Sequence, residues 1–286
     1  MIVCRIKNWK SKIIKPLFII GLYNVLLCSA GAEKPIFLVP HRAIYDFQLE
    51  SVSHEMSILG VSGRMVYELT GSACHGYTTR SRFVNRIYMK DAPIRLTDQQ
   101  ITSYETANSH EFRFNVQNKI GEDVSDNIEG VAERTKDGII VKLKKPKEDV
   151  YKLATAEFPI MQLKTIIQQA KAARHFYHTA VFDGTDGANE VIKESIVIGD
   201  KKKLTSDSET KNLGKLSEES HWPVTISYFD DKKNKDGLPL YRTSFLLYEN
   251  GIMRDLLIDY GGFSIRAKLK NFELLDLGKN SDTCNH

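Results

Sequence analysis

No H-E-x-x-H, G-x-S-x-G or phosphate-loop motif occurs in the 286 residues, which removes the signatures of zinc peptidases, nucleophile-elbow hydrolases and P-loop nucleotide enzymes. Gly60-Val61-Ser62-Gly63 is too short to be a dinucleotide fingerprint. Acidic residues are missing from positions 1–32, where Arg5, Lys7, Lys10, Lys12 and Lys15 lie. Those five cations exceed the whole formal charge of +4, so the remaining chain carries a net charge of −1. A chain with no basic excess lacks the electrostatic footprint of a nucleic-acid binder. With 27% charged and 42% hydrophobic residues it has enough apolar material for a packed core.

The first 32 residues have the three parts of an export signal: a cationic start through Lys15, an apolar stretch from Leu17 to Cys28, and the small residues Ala30-Gly31-Ala32. Cleavage after Ala32 leaves a mature chain of 254 residues. The apolar stretch has 12 residues, whereas a helix needs about 20 to cross a bilayer, so no stable membrane span is expected once the signal is removed. Lipoprotein processing at Cys28 calls for small residues before the cysteine, and Leu26-Leu27 stand there instead.

Cysteine is scarce, and the cut makes it scarcer. Cys4 and Cys28 leave with the signal; Cys74 and Cys284 stay. Two thiols in an oxidising compartment usually pair. The bridge closes a loop of 210 residues, worth up to about 5 kcal/mol by chain entropy, and ties both ends of the mature chain into one cooperative unit. The alternative is a thiol nucleophile within Ser72-Ala73-Cys74-His75-Gly76. That turn should open a helix, but Tyr77 to Met89 read as strand, and an adjacent His75 would face away from Cys74 along an extended chain.

Elsewhere the hydrophobic period is two. Ala43, Tyr45, Phe47 and Leu49 share one face of a strand, as do Val61, Gly63, Met65, Tyr67 and Leu69, and then Phe112, Phe114 and Val116. The pattern returns at Ile139, Val141 and Leu143, at Val224, Ile226 and Tyr228, and through 241–269. Asp137-Gly138, Asp183-Gly184, Asp236-Gly237, Asn250-Gly251 and Gly261-Gly262 supply turn chemistry. Roughly a dozen strands with short connections predict a mainly β protein whose long antiparallel sheet curls into an open spiral or half-barrel. One segment, about 160–174, has helical period: Leu163, Ile166, Ile167, Ala170 and Ala173 form a stripe opposite Lys164, Gln168, Lys171 and Arg174. This single amphipathic helix is expected to pack on or in the curled sheet. Residues 200–221, with Lys201-Lys202-Lys203, have neither period and read as a mobile polar loop and the best place for a subdomain seam within the single domain 33–286.

Reactive constellations are wanting. Asp230 to Gly237 fails as a calcium loop, because Lys232 stands where the first aspartate belongs and Thr243 where the bidentate glutamate belongs. His175 and His178 have no second ligand pair and read as a surface pair. Asp183 and Asp186 are first a turn signature, and Trp222, before Pro223, reads as a packing plug at a strand start. No catalytic residue, metal ligand or cofactor is nominated.

The ordered motifs Tyr45-Asp46-Phe47, Gly63-Arg64-Met65, Cys74-His75-Gly76-Tyr77 with Arg82-Phe83, Phe158-Pro159, Phe182-Asp183-Gly184-Thr185-Asp186, Trp222-Pro223-Val224 with Tyr228-Phe229, Asn250-Gly251, Asp259-Tyr260-Gly261 and the terminal Cys284 resemble those of the cell-envelope-integrity EipB family, periplasmic proteins of Gram-negative bacteria. The resemblance spans essentially the whole mature chain. It implies an open spiral antiparallel sheet, a disulfide between Cys74 and Cys284, periplasmic location, a role in envelope integrity and no known enzymatic activity. Two departures stand out: Gln162 where many members carry histidine, and Ala173-Arg174 where a glycine often ends the helix.

Two functions of different classes follow. In the first, the protein is a non-catalytic envelope factor whose apolar groove, lined by Tyr45, Phe47, Phe112, Phe114, Ile166 and Ile167, holds a lipid-like ligand or a segment of a periplasmic envelope protein. In the second, Cys74 serves a thiol-dependent hydrolase or transferase.

Overall fold

Alternating apolar and polar residues generate fourteen strands in a computed structural model that describes residues 36–185, 187–203, 209–214, 216, 219–230 and 236–275. The signal segment, Asp186, Lys232 and Cys284 lie outside the described residues. The chain divides into Met1–Pro35, of which nothing is described, and one unit, Ile36–His286. The strands are β1 (His41–Val52), β2 (Ile58–Ser72), β3 (Gly76–Met89), β4 (Arg95–Glu105), β5 (Glu111–Ile120), β6 (Asp123–Arg134), β7 (Ile139–Lys145) and β8 (Asp149–Leu153). Helix α1 (Pro159–Lys171) follows, then β9 (Phe176–Val181), β10 (Ile192–Ile198), the short helix α2 (Thr210–Leu213), β11 (His221–Phe229), β12 (Tyr241–Tyr248), β13 (Met253–Asp259) and β14 (Phe263–Leu274).

All fourteen strands belong to one antiparallel sheet in the order β8-β7-β6-β5-β4-β3-β2-β1-β14-β13-β12-β11-β10-β9. It is two meanders, β1–β8 and β9–β14, joined where the first strand pairs with the last, from His41↔Leu274 to Val52↔Phe263. The sheet edges, β8 and β9, are therefore neighbours in sequence, separated only by the segment that carries α1.

The edges do not pair with each other as strands. Between them lies one parallel bridge, Glu157↔Val181, with Glu157 N–H donating to Ala180 at 2.8 Å and Phe182 N–H to Glu157 at 2.9 Å. Phe158 and Phe182, just outside the two edges, pack instead on Phe112 and Phe114 of β5, with ring centroids 5.2–6.3 Å apart. Gly184 comes so close that a Cβ there would stand 2.5 Å from the Phe114 ring, and its φ of +76° is one that glycine adopts freely. The β9 end of the sheet thus tucks against the inner face of β5. This aromatic wedge makes the sheet an open spiral rather than a closed barrel. A cavity of about 280 Å³ opens at the seam, between Lys152–Ala154 and Asn189–Val191.

Helix α1 has Pro159 at its first position, where a missing N–H costs nothing. Its N-cap, Phe158, has no side-chain acceptor, and the orphaned N–H groups of Ile160 and Met161 donate to the buried Glu105 carboxylate at the end of β4, at 2.8 and 3.0 Å. At the other end Ala173 N–H donates to Ala170 and Arg174 N–H to Gln169, a Schellman closure with Ala173 at φ 54° in the left-handed position usually held by glycine. That closure stops the helix at Lys171, three residues before the end expected from its apolar stripe.

Within 200–221, the segment expected to be a polar loop and subdomain seam, only part is described, and that part includes a bridge and a short helix. The sheet runs unbroken from β10 to β11 (Lys193↔Phe229 to Ile198↔Val224), Lys202 bridges His221, and α2 buries Thr210 and Leu213 against the core. Its anchor is Glu209, only 2% exposed, which pairs with the equally buried Arg254 at 3.3 Å and accepts from the backbone N–H groups of Asp255 and Leu269. A buried arginine draws this acidic residue inward, which no local period reveals.

Candidate functional site: the inner face of the spiral

Strand register decides which residues share the inner face. Tyr45 pairs with Met65 and Leu269, Phe47 with Gly63 and Ala267, Met65 with Phe83, and Phe83 with Gln99. Continuing across the sheet, Val116 faces Ile101 and Ile128, and Ile258 faces Ile265. These rows place Leu49, Met65, Phe83, Ile87, Ile101, Ile258 and Phe263 on the same side as the buried Phe47.

The two ends of that face differ. At the end where β3 and β11 begin and β4 and β12 finish, α1 fills the interior. Lys164 Nζ lies 4.9 Å from the Tyr77 ring, Leu38 N–H donates to the Tyr77 hydroxyl, and Ile166 and Ile167 are buried in the main core. At the opposite end none of the α1 contacts just named occurs. There Leu49, Met65, Phe83, Ile87, Ile101 and Ile258 remain only half-buried although they point inward. These side chains form a partly exposed apolar row that packs along the edge of the two core clusters. Two pairs of rings stack: Tyr228 on Tyr241 at 4.3 Å and Tyr260 on Phe263 at 4.8 Å.

Of the six residues expected to line a groove, Tyr45, Phe47, Phe112 and Phe114 lie on this inner face and Ile166 and Ile167 on α1, none more than 5% exposed. Tyr45, Phe47, Ile166 and Ile167 belong to the main core, while Phe112 and Phe114 belong to a second cluster with Phe158 and Phe182. The structure therefore divides the six between two clusters. The accessible lining missed by sequence reasoning includes Phe83 and Ile87, whose strand carries Thr79, Ser81 and Asn85 on the same face, so β3 shows no clean alternation.

A polar cluster lies where the first turn of α1 meets β10. Glu194 of β10 is 2% exposed; its Oε2 accepts from the Gln162 amide in the first turn of α1, and its Oε1 has no partner among the described residues. Burial first, then the nearby Asp183 carboxylate, pushes its carboxyl up to about 8, with Glu157 adding to the effect and Gln162 opposing it. Glu194 is therefore largely protonated at neutral pH. Glu105 is likewise shifted up by burial, against the lowering effect of Ser109 and the backbone N–H groups it caps. Gln162, the position at which many family members were expected to carry histidine, joins the helix to this acid.

Cys74 sits at the tip of the β2–β3 hairpin, not on a strand-to-helix elbow. It is not a free thiol. His75 Nδ1 lies 3.2 Å from Ser72 Oγ in the same turn. His175 and His178 go to different partners, the Ile198 carbonyl and Ser195 Oγ. Among the described residues no group of three or more His, Cys, Asp or Glu is placed to hold a metal ion, and no helix is long and apolar enough to cross a membrane.

An open, barrel-like single antiparallel sheet with a helix packed on its inner face defines a β-spiral protein. A sequence profile described as EipB-like matches residues 32–276, and the chain belongs to that family. It is 44% identical over 256 residues to the cell envelope integrity protein EipB of Brucella abortus (strain 2308), covering 90% of this chain and 91% of that protein. A crystal structure of a β-barrel-like protein from Brucella abortus is similar with a TM-score of 0.81 and 44% identity, covering 84% of this chain and 99% of that one.

Proposed function

We propose that this protein is a non-catalytic periplasmic factor that supports cell-envelope integrity by holding an apolar ligand, a lipid-like chain or an apolar segment of an envelope protein, in the lumen of its spiral. The envelope role follows its relative, named a cell envelope integrity protein. The observation that carries the ligand is the half-buried apolar row on the inner face, Leu49, Met65, Phe83, Ile87 and Ile258. Side chains in such a position gain about 25 cal/mol for each Å² a bound chain removes from water.

Native mass spectrometry of protein purified from the periplasm tests this reading. The expected result is a co-purifying apolar species that is lost from a Phe83→Arg variant, whose charge sits in the lumen. Repeated absence of any adduct from the parent would remove the ligand and leave a scaffolding role.

The same reading pairs Cys74 with Cys284 across 210 residues. Thiol counting under denaturing, non-reducing conditions is expected to find no free thiol in the exported protein, and Cys284→Ser to lower stability by up to about 5 kcal/mol. Two free thiols would overturn the pairing and return Cys74 to consideration as a nucleophile.

A further inference from the structure

A concave site lies at the C-terminal end of α1. It is a cavity of about 360 Å³ whose floor is Ala170, Ile198 and Trp222 and whose rim is charged. Lys171, Arg174 and Lys201 line it, and Lys202 and Lys203 adjoin Lys201 on exposed positions. Within the lining, three permanent cations face two carboxylates, Asp200 and Glu249.

The backbone on both sides is pinned, which distinguishes this rim from a run of freely solvated lysines. The Schellman closure fixes Arg174, and His175 and Ile198 bond each other twice, through Ile198 N–H to the His175 carbonyl at 2.9 Å and through His175 Nδ1 to the Ile198 carbonyl at 2.8 Å. Lys202 and His221 exchange backbone bonds of 2.8 and 3.0 Å, so the lysine run is held against the start of β11. Lys201 Nζ stacks 4.5 Å from the Trp222 ring.

Charge is unevenly satisfied within the site. Glu249 serves two lysines, Lys171 at 2.6 Å and Lys201 at 3.2 Å, which hold its carboxyl below the ordinary range, Lys171 foremost. Asp200 is largely solvated and among the described residues reaches only His175, at 3.9 Å. Arg174 has no ion pair among the described residues. The carbonyl end of α1 adds only about half a negative charge, so an excess of positive charge remains. We propose that this cavity binds a phosphate-type anion, free or carried on a lipid headgroup, with Arg174 as the bidentate contact and Lys201 and Lys171 as point charges. The volume exceeds what a bare phosphate needs and leaves room for a glycerol- or sugar-sized substituent. The proposal does not depend on what occupies the lumen.

Calorimetric titration of the mature protein with inorganic phosphate, alongside flotation with vesicles of phosphatidylglycerol and phosphatidylethanolamine, tests it. Phosphate binding is expected to weaken at least about tenfold in Arg174→Ala/Lys201→Ala, the loss of charge-assisted hydrogen bonds. It is expected to tighten in Glu249→Gln, which releases two lysines, and to weaken less in the exposed pair Lys202→Ala/Lys203→Ala. Flotation of the parent but not of Arg174→Ala/Lys201→Ala assigns the phosphate to a lipid headgroup; titration without flotation assigns it to a free anion. Failure of both ligands to bind, or binding that all three variants retain unchanged, overturns the site.

Discussion

Arg254→Ala is expected to destabilise the protein by about 3–5 kcal/mol, because it leaves the Glu209 carboxylate buried without its counter-ion. Both side chains are 2% exposed, and Arg254 also donates from Nε to the Tyr248 hydroxyl at 2.9 Å. Glu209 in turn holds α2 to β13 and β14 through the N–H groups of Asp255 and Leu269, and Asn212 adds a bond to the Leu269 carbonyl at 2.9 Å. Losing the pair should therefore release α2 as well as lower global stability. Urea midpoints read the first effect, and limited proteolysis within 200–221 reads the second. Coupling has its own signature: Glu209→Ala/Arg254→Ala should cost clearly less than the two single variants added together. Additive losses would mean that the two charges are stabilised separately by their surroundings.

Glu194→Gln is expected to change the pH dependence of stability more than its value at acid pH. The Glu194 carboxyl moves from an ordinary 4.5 to about 8 in the folded protein. Between those values the folded state keeps a proton that the unfolded chain has released. Stability is therefore complete below the unfolded value and falls as pH rises toward the folded one, by up to about 1.4 kcal/mol per pH unit. The amide is a neutral stand-in for the protonated acid and removes that slope. Parent and variant should match near pH 4, and the variant should be more stable near pH 8.5 by about 2–4 kcal/mol. Equal slopes in urea titrations at the two pH values would show that Glu194 ionises freely. The result bears on the inner face, because Gln162 ties this acid to α1, and ionising it places a further charge near Asp183 and Glu157 where helix and sheet meet.

The strands were legible in the sequence wherever one face is buried and the other solvated. Tyr45 and Phe47 alternate with Asp46 and Gln48 because the pleat sends successive side chains to opposite sides, and on the outer face Asp46 pairs across the strands with Arg64 at 2.7 Å. Phe112 and Phe114 were equally plain. The β3 strand was harder, since its inner positions are Thr79, Ser81 and Asn85 as well as Phe83 and Ile87. β13 hides its plan differently: Asp255 at φ 50° and a register shift opposite it, between Ser244 and Leu246, interrupt the ladder.

What the sequence determined by itself is local: the period of two, the one helical stripe, the turns, and the order of motifs that resembles the EipB family. Only the tertiary structure decided that β1 pairs with β14, that Phe158 and Phe182 wedge against β5 and keep the spiral open, that Glu105 caps a helix 55 residues away, and that Arg254 pulls Glu209 out of a polar stretch. Period is set by neighbours along the chain, whereas closure, capping and buried charge depend on which distant groups remain unsatisfied once the sheet has curled. For that reason the inner face could be read in advance, but not which part of it the helix fills and which part it leaves half-buried.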